Sequence, residues 1–476
     1  MFFISLRLSA AYKHEDNSRD GIMINENIFR SYDVRGIYPT DIDEALAENM
    51  GKAYGTFIGR GKKILVGRDI RTSSPSLSES LIKGLLSTGI EVVDAGVIPT
   101  PLLYFAISRY KLDGGITVSA SHNPPEWNGF KICREDAHVI GMGSGLETIR
   151  DIIKAGRFES LPGGKIEDRS KEIMADYTDF LSKNISDLNG LTIGLDPGNG
   201  AYSGIATGLF RSKGANVHPI NDIPDGRFPS RSPEPTEASI KELTGLVLSR
   251  VMNFGVAFDG DGDRVLFVTD KGKVVGGDIV LGLLIKEFLR PGEKVAYEVS
   301  CSSVVEDMIH EKGGVPVLTL VGHSHMKESM KGQGCRFGGE ISGHMYFKET
   351  YGADDALFAA LKVSELVVKS GKKLSELVAT LPQYINIFEE FKCDDSVKHR
   401  VIEQITTSLK QKGCSVDTFE GTKVHTGEGW YLLRVSNTTP LIKCRVEAKT
   451  REAAEGLMAI ARQEFESALE KTKKQS

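Results

Sequence analysis

Few cysteines, no long apolar run and no excess of basic charge mark this chain, and each shortage removes a class of protein. Its six cysteines, Cys133, Cys301, Cys335, Cys393, Cys414 and Cys444, are spread through 476 residues without a Cys-x-x-Cys pair. That excludes a disulfide framework, offers no zinc site and fits the reducing cytoplasm. No apolar run reaches the length of a membrane-spanning helix. The opening Met1-Phe-Phe-Ile-Ser-Leu6 is apolar over too short a stretch for a signal peptide. The polar Tyr12 to Asp20 that follows is expected to be disordered. Lys and Arg number 59 against 64 Asp and Glu, for a net charge of −5 and a pI near 6.1. Nucleic acid is therefore not an expected partner, and phosphate-bearing ligands need local clusters of Arg and Lys. Low-complexity and coiled-coil segments are missing too. What remains is 40% hydrophobic and 26% charged, an ordinary soluble composition. A length of 476 residues is too great for one core and suggests three or four domains.

A repeated pattern runs through the interior of the chain. Lys63-Ile-Leu-Val-Gly-Arg-Asp69 reads as a strand and Thr72-Ser-Ser-Pro75 as a Ser-rich helix start. A helical pattern from Leu77 to Leu86 stops at Gly89, and Glu91-Val-Val-Asp94 is the next strand. The unit recurs at Leu191-Thr-Ile-Gly-Leu-Asp196, with a helix ending near Gly214 and a strand at Asn216-Val-His218. It recurs again at Lys294-Val-Ala-Tyr-Glu-Val-Ser300, with a helix ending near Gly313 and a strand at Val315-Pro-Val-Leu318. Three such units predict three similar α/β domains. Leu161-Pro-Gly-Gly-Lys165, Asp270-Lys-Gly-Lys273 and Pro382 to Phe388 read as linkers. The tail has a different pattern and closes on an amphipathic helix from Glu447 to Lys471.

Two stretches carry chemistry. In the first, the apolar Gly115-Ile-Thr-Val-Ser119 leads into Ser121-His-Asn-Pro-Pro125. A strand that breaks this way leaves its side chains at the mouth of a sheet, where open α/β sheets bind ligands. Ser121 is a weak nucleophile alone, but His122 is adjacent, Lys131 follows, and Pro124 and Pro125 stiffen the loop. The plainer reading is a surface turn. In the second stretch, Asp259-Gly-Asp-Gly-Asp-Arg264 lies between the β-like runs Gly255-Val-Ala-Phe258 and Val265-Leu-Phe-Val268. Alternate positions of an extended loop point the same way, so Asp259, Asp261 and Asp263 converge and repel unless a divalent cation sits among them. Gly260 and Gly262 let the backbone bend. A calcium-binding EF-hand needs Gly where Arg264 stands, a long acid where Asp270 stands, and helices on both sides. Together the stretches suggest a serine that carries a phosphoryl group beside Mg²⁺.

The pair resembles the α-D-phosphohexomutase family. Three further matches follow in the family's order: Phe29-Arg-Ser-Tyr-Asp-Val-Arg-Gly36, Gly338-Gly-Glu-Ile-Ser-Gly-His344 and Arg434-Val-Ser-Asn-Thr-Thr-Pro440. The resemblance runs from about Ile28 to the C-terminal region and is greatest to the phosphomannomutase/phosphoglucomutase branch. Met23 stands just ahead of the family's usual start.

The resemblance implies three α/β domains plus a smaller α+β C-terminal domain around a central cleft. The expected division is 1–24 as an extension, 25–165 with the serine loop, 166–272 with the metal loop, 273–383 with a sugar loop and 384–476 with a phosphate loop. Ser121 becomes the phosphoryl carrier, with Ser121, Asp259, Asp261 and Asp263 holding Mg²⁺ and Arg264 neutralising charge. His122, Lys131 and His323, the last within Val321-Gly-His-Ser-His-Met-Lys327, become candidates for proton transfer or positioning. Tyr32 and Arg35 are placed near the serine, although Arg35 could equally pair with Asp33. Glu340 and Ser342 are assigned to the sugar hydroxyls, with His344 facing the cleft, against the plainer reading that it caps the loop. Arg434, Ser436, Asn437, Thr438 and Thr439 suit a phosphate dianion, against the simpler reading of a self-capped turn.

Many bacterial members carry Lys near Ser300 and a basic residue near Leu320; their absence here shifts that load toward Lys131 and Arg264. The implied reaction interconverts mannose or glucose 1- and 6-phosphates through a hexose 1,6-bisphosphate, in a monomer or small homo-oligomer. Ile341 stands where the phosphoglucosamine branch often has Gln, which favours the hexose branch. Phosphoglucosamine mutase remains the alternative, and a non-catalytic phosphosugar- or calcium-binding protein the more distant one.

Overall fold

A computed structural model describes residues 22–436 and 439–474. Most of the 1–24 extension, Asn437 and Thr438 therefore lie outside the described residues. Each strand–helix–Gly–strand unit forms as expected. Lys63–Arg68, Ser74–Ser87 and Glu91–Val97 make the first. Thr192–Asp196, Ile205–Ser212 and Asn216–Pro219 make the second, and Lys294–Glu298, Ser303–Glu311 and Val315–Thr319 the third. In each, the two strands pair in parallel. Gly89, Gly214 and Gly313 have φ of 78°, 89° and 66°, the left-handed turn that ends the helix and that a side chain would strain. The helix is the crossover that parallel strands require.

The first sheet has six strands, in the order Val34–Ile37, Trp127–Arg134, Gly114–Val118, Lys63–Arg68, Glu91–Val97 and Lys165–Asp168. Lys165–Asp168 pairs with Glu91–Asp94, so the chain beyond Leu161 still adds to this sheet. In the second sheet the order is Val274–Val275, Val265–Thr269, Phe254–Phe258, Thr192–Asp196 and Asn216–Pro219. Asp270 to Lys273 is the turn of a hairpin within it and not a linker, since Thr269 N–H donates to Lys273 C=O at 2.8 Å. The third sheet runs Val315–Thr319, Lys294–Glu298, Phe337–Gly339 and Met345–Phe347.

The fourth sheet is antiparallel throughout, from Ile385–Lys392 to Leu441–Ala448, Gly429–Val435, Thr422–His425 and Ser415–Asp417. The helices Lys398–Gln411 and Arg451–Lys474 pack on it. The closing helix thus starts at Arg451, four residues later than its amphipathic pattern suggests. Glu447 instead lies next to last in the strand Leu441–Ala448, where its carboxylate accepts from Trp430 Nε1 at 2.9 Å.

One continuous apolar cluster runs through the first three units, from Leu65 through Leu195 to Leu284, whereas the fourth has its own around Val401, Leu433 and Phe465. The fourth unit meets the third through Val299, Trp430 and Leu432 and through Arg445, whose NH2 donates to Asp278 Oδ2 at 2.7 Å. All six cysteines are free thiols and five are buried. Among the described residues no helix is long and apolar enough to cross a membrane.

Candidate active site

The buried strand Gly114–Val118 delivers Ser121 where the first sheet ends. Ser121 has φ of 53°, a left-handed conformation that costs a non-glycine residue about 1–2 kcal/mol. Its N–H donates to Ser119 Oγ at 3.0 Å. The Ser121 hydroxyl donates to Asp259 Oδ2 at 3.2 Å and lies 3.1 Å from His122 Nδ1. Burial, then the nearby Arg264 and Arg35 guanidiniums, hold His122 below its ordinary pKa, so its ring is neutral beside the Ser121 hydroxyl. Arg35 satisfies both of its readings. It pairs with Asp33 at 2.7 Å and donates to Asn123 Oδ1 at 2.7 Å, fixing the serine loop from one side.

The acidic loop reaches the serine because Gly260 has no side chain: a Cβ there would lie 2.7 Å from the Ser121 carbonyl oxygen. Gly262 has φ of 77°, and this turn brings Asp263 round to join its two neighbours. One oxygen from each of Asp259, Asp261 and Asp263 lies within 4.8 Å of the others. Lys131 Nζ donates to Asp261 Oδ2 at 2.6 Å and Asp263 Oδ2 at 2.5 Å. Burial opposes its charge, but these carboxylates outweigh burial and raise its pKa, so Lys131 is a fixed cation. Thr100 Oγ1 donates to Asp261 Oδ2 at 2.6 Å. Asp259 is pushed well upward by burial, then by Asp263 and Asp261. The Oδ1 atoms of Asp261 and Asp263 are buried without a hydrogen-bond partner. Three converging carboxylates that share one lysine, with two oxygens left orphaned, fit a hard divalent cation.

Arg264 links this loop to the third unit. Its N–H donates to Asp259 Oδ1 at 3.1 Å and its Nε–H to His344 Nε2 at 3.1 Å. His344 Nδ1 is 2.8 Å from Asp354 Oδ2. Burial opposes charge on His344, while Asp263 and the Asp354 contact raise its pKa on balance. The Arg264 donor nevertheless requires a bare Nε2, so the tautomer with Nδ1–H toward Asp354 satisfies both contacts. Lys327 Nζ lies 2.8 Å from Asp354 Oδ1 and 3.2 Å from the Tyr104 ring centroid. His323 Nδ1 is shielded and has no partner. Burial, then Lys327, holds its pKa well below the ordinary value, leaving a neutral ring. Tyr32 closes this side edge-on to His323 and His325, at 5.3 and 5.8 Å between ring centroids.

In the sugar loop Ser342 is exposed, whereas Glu340 is buried and accepts from the Tyr346 hydroxyl. Beneath it, Glu298 Oε1 accepts from Ile341 N–H at 3.0 Å, and burial together with Glu340 pushes Glu298 up to about 8. On the phosphate loop Ser436 Oγ is 2.7 Å from Thr439 Oγ1, the self-capping that its sequence allows. Lys398 Nζ donates to the Ser436 carbonyl at 2.8 Å. Arg434 is half-buried and 3.5 Å from Glu420. Glu420 also accepts from Val321 N–H at 2.5 Å and ties this loop to the His323 loop.

Sequence reasoning missed Arg71, Thr100, Glu298, Asp354 and Lys398, and drew nothing from Lys327. Arg71 had a signal. The cluster Arg68-Asp-Ile-Arg71 stands where a parallel strand ends, on the same sheet margin as Ser121. Thr72-Ser-Ser-Pro75 drew attention instead as a helix cap. The Ser73 side chain makes no cap bond, and the Ser73 and Ser74 hydroxyls instead accept from Asn128 Nδ2 at 2.8 and 3.0 Å.

A buried serine turned onto an acidic cluster, with fixed cations on two sides, defines an enzyme of phosphoryl transfer. Comparison with known proteins narrows the class. Four phosphoglucomutase/phosphomannomutase models match in order: α/β/α domain I over residues 26–160, II over 175–272, III over 276–384 and the C-terminal domain over 390–464. A probable phosphoglucosamine mutase of Methanopyrus kandleri is 36% identical, with 90% of this chain and 95% of that protein covered. A phosphomannomutase/phosphoglucomutase of Pseudomonas aeruginosa is 32% identical, with 93% and 96% covered. The crystal structure of a phosphoglucomutase/phosphomannomutase family protein from Burkholderia thailandensis superposes with a TM-score of 0.87 at 32% identity, covering 94% of this chain and 98% of that one. The chain belongs to the phosphoglucomutase/phosphomannomutase family.

Proposed function

We propose that this enzyme interconverts hexose 1-phosphates and hexose 6-phosphates, of mannose, glucose or both, with phosphoserine 121 as the phosphoryl donor and a hexose 1,6-bisphosphate as the intermediate. The observation that carries the reading is the Ser121 hydroxyl, held in a left-handed backbone 3.2 Å from Asp259. The phosphoryl group passes from Ser121 Oγ to a sugar hydroxyl, the bisphosphate turns over, and its other phosphoryl group returns to Ser121. Neutral His122 and His323 are placed to position or relay the hydroxyl proton, and burial keeps either ring from retaining it. Lys131, charged throughout, positions the acidic loop and leaves proton transfer to the histidines.

Asp259, Asp261, Asp263 and a Ser121 oxygen would hold Mg²⁺. Bound there, the cation neutralises charge on the phosphoryl group. Arg264 adds a second positive charge, steered by His344. Ser342 and Glu340 recognise sugar hydroxyls, while Arg434, Ser436, Asn437, Thr438 and Thr439 bind whichever phosphate is not reacting. A four-domain division with its first two boundaries moved from 165 and 272 to beyond Asp168 and Val275, where the first and second sheets end, and the third kept at 383, belongs to the same proposal, as do a monomer or small homo-oligomer and a cytoplasmic setting.

Intact-mass measurement after incubation with glucose 1,6-bisphosphate tests it. The expected result is one phosphoryl adduct on the wild type and none on Ser121→Ala; an adduct that persists in the variant overturns the assignment. The name of the 36% identical relative keeps a glucosamine phosphate in view as substrate. Initial rates on mannose, glucose and glucosamine 1-phosphates decide between them, and a dominant rate on glucosamine 1-phosphate would replace the hexose reading.

A further inference from the structure

We infer that Arg71 is a positioning residue for the Ser121 nucleophile, its guanidinium holding the serine loop in the backbone shape that turns the Ser121 hydroxyl onto the acidic cluster. The inference rests on Ser121 as phosphoryl carrier.

Arg71 is fully buried. A guanidinium has five N–H donors in a rigid plane, and here all five are used. Nε donates to Asp69 Oδ2 at 3.0 Å. NH1 donates to the Pro124 carbonyl at 2.5 Å and the Trp127 carbonyl at 3.1 Å. NH2 donates to the Ser121 carbonyl at 2.9 Å and the Asn123 carbonyl at 2.7 Å. Three of those carbonyls belong to the serine loop, one of them that of the nucleophile itself, and the fourth, Trp127, opens the strand into which the loop runs. Asp69 in turn is fixed by Arg71 N–H at 3.0 Å and Ser74 Oγ at 2.6 Å, both donating to its Oδ1. The Phe228 ring of the second unit lies over the guanidinium, 5.2 Å from its central carbon. Arg71 therefore sits where the unit bearing the metal loop meets the unit bearing the serine.

A serine with φ of 53° relaxes out of the left-handed region unless its surroundings over-determine it. The Arg71 fork supplies that constraint. Arg35 reaches the same loop from the other side, through Asn123 Oδ1. A lysine keeps the charge at position 71 but has only three donors, tetrahedrally disposed, and cannot serve four coplanar acceptors. Sugar recognition at Glu340 and phosphate recognition at Arg434 involve none of these contacts, so their affinity for substrate is left intact.

The test uses Arg71→Lys in the full chain, first phosphorylated with glucose 1,6-bisphosphate. The rate constant for phosphoryl transfer to glucose 1-phosphate is then measured in a single turnover. A misplaced nucleophile lowers that rate constant by about a hundredfold, with KM in steady state changed less than about twofold. A merely destabilised enzyme loses amplitude and keeps its rate constant. Asp69→Asn, which loosens the aim of the guanidinium while preserving shape, should slow transfer by about tenfold and carries the test if Arg71→Lys does not fold. A wild-type rate constant in either folded variant overturns the inference. Failure of the wild type itself to carry phosphate on Ser121 would instead overturn the function on which it rests, and this inference with it.

Discussion

At the serine loop four backbone carbonyls around the left-handed Ser121 are gripped by the fully buried Arg71, whereas at the phosphate loop Arg434 is partly exposed, with its nearest acceptors among the described residues at 3.5 Å. The difference extends to the scaffold. The units bearing the serine and acidic loops share one large apolar cluster, beside the first unit's own around Ile116 and Val118, whereas the unit bearing Arg434 has a separate core and makes apolar contact with its neighbour through the small cluster of Val299, Trp430 and Leu432. A group that forms and breaks bonds must keep one geometry, because a misplacement of about 1 Å costs about a hundredfold in rate. A group that recognises phosphate in two orientations of a sugar gains nothing from such rigidity. Its guanidinium fork needs charge and reach. Under the proposed function, chemistry and recognition thus occupy opposite kinds of structure in this fold.

The largest expected effect breaks the rigid end outright. Ser121→Ala should lose about 10⁴-fold or more in kcat while melting like the wild type; near-normal turnover would move the chemistry to another residue such as Ser119. Next comes the acidic loop. Asp261→Asn should lower kcat about a hundredfold and weaken the dependence on Mg²⁺ together, and a wild-type Mg²⁺ titration would exclude the triad as the cation site. At the recognition end, Arg434→Ala should raise KM about ten- to hundredfold, roughly 1.5–3 kcal/mol, by a similar factor for every sugar phosphate. Glu340→Ala should instead change the ratio of rates on mannose and glucose 1-phosphates. If Arg434→Ala shifted that ratio and Glu340→Ala left it unchanged, the roles of the two loops would be reversed.

The smallest effect concerns support of the sugar loop. Glu298, raised to about 8 by burial and by Glu340, titrates near 4.5 in the unfolded chain. Between those values the folded protein holds a proton that the unfolded chain releases, so this group's contribution to stability falls as pH rises from 4.5 to about 8. Glu298→Gln should melt with the wild type near pH 4.5 and a few degrees above it beyond pH 8. A gap independent of pH would show that Glu298 does not carry this proton.

Much of this division could be read before the structure was seen. The three units announced themselves because a parallel pair needs a crossover helix and a turn, and Gly89, Gly214 and Gly313 mark the same point in each. Ser121 and the three aspartates were legible because their chemistry is local: adjacent or alternate residues share one loop. What supports them was not, because it comes from distant parts of the chain. Arg71 touches residues 50 to 56 positions away, and Thr100 reaches Asp261 across 161. Asp354 drew no reading at all, because its partners His344 and Lys327 lie 10 and 27 residues away and the neighbouring Asp355 is the helix cap, accepting from Phe358 N–H at 2.9 Å. Glu447 misled as the start of a helix because strand and helix patterns overlap where Ala448 ends the strand. Asn437 and Thr438, expected at the phosphate, lie outside the described residues.

One measurement bears most directly on Ser121 as the carrier. Enzyme labelled with ³²P on Ser121 is mixed with excess unlabelled glucose 1-phosphate and quenched within a single turnover. The label should leave the protein as fast as turnover and appear first in glucose 1,6-bisphosphate, then in glucose 6-phosphate. Label that stays on the protein while glucose 6-phosphate accumulates would contradict it.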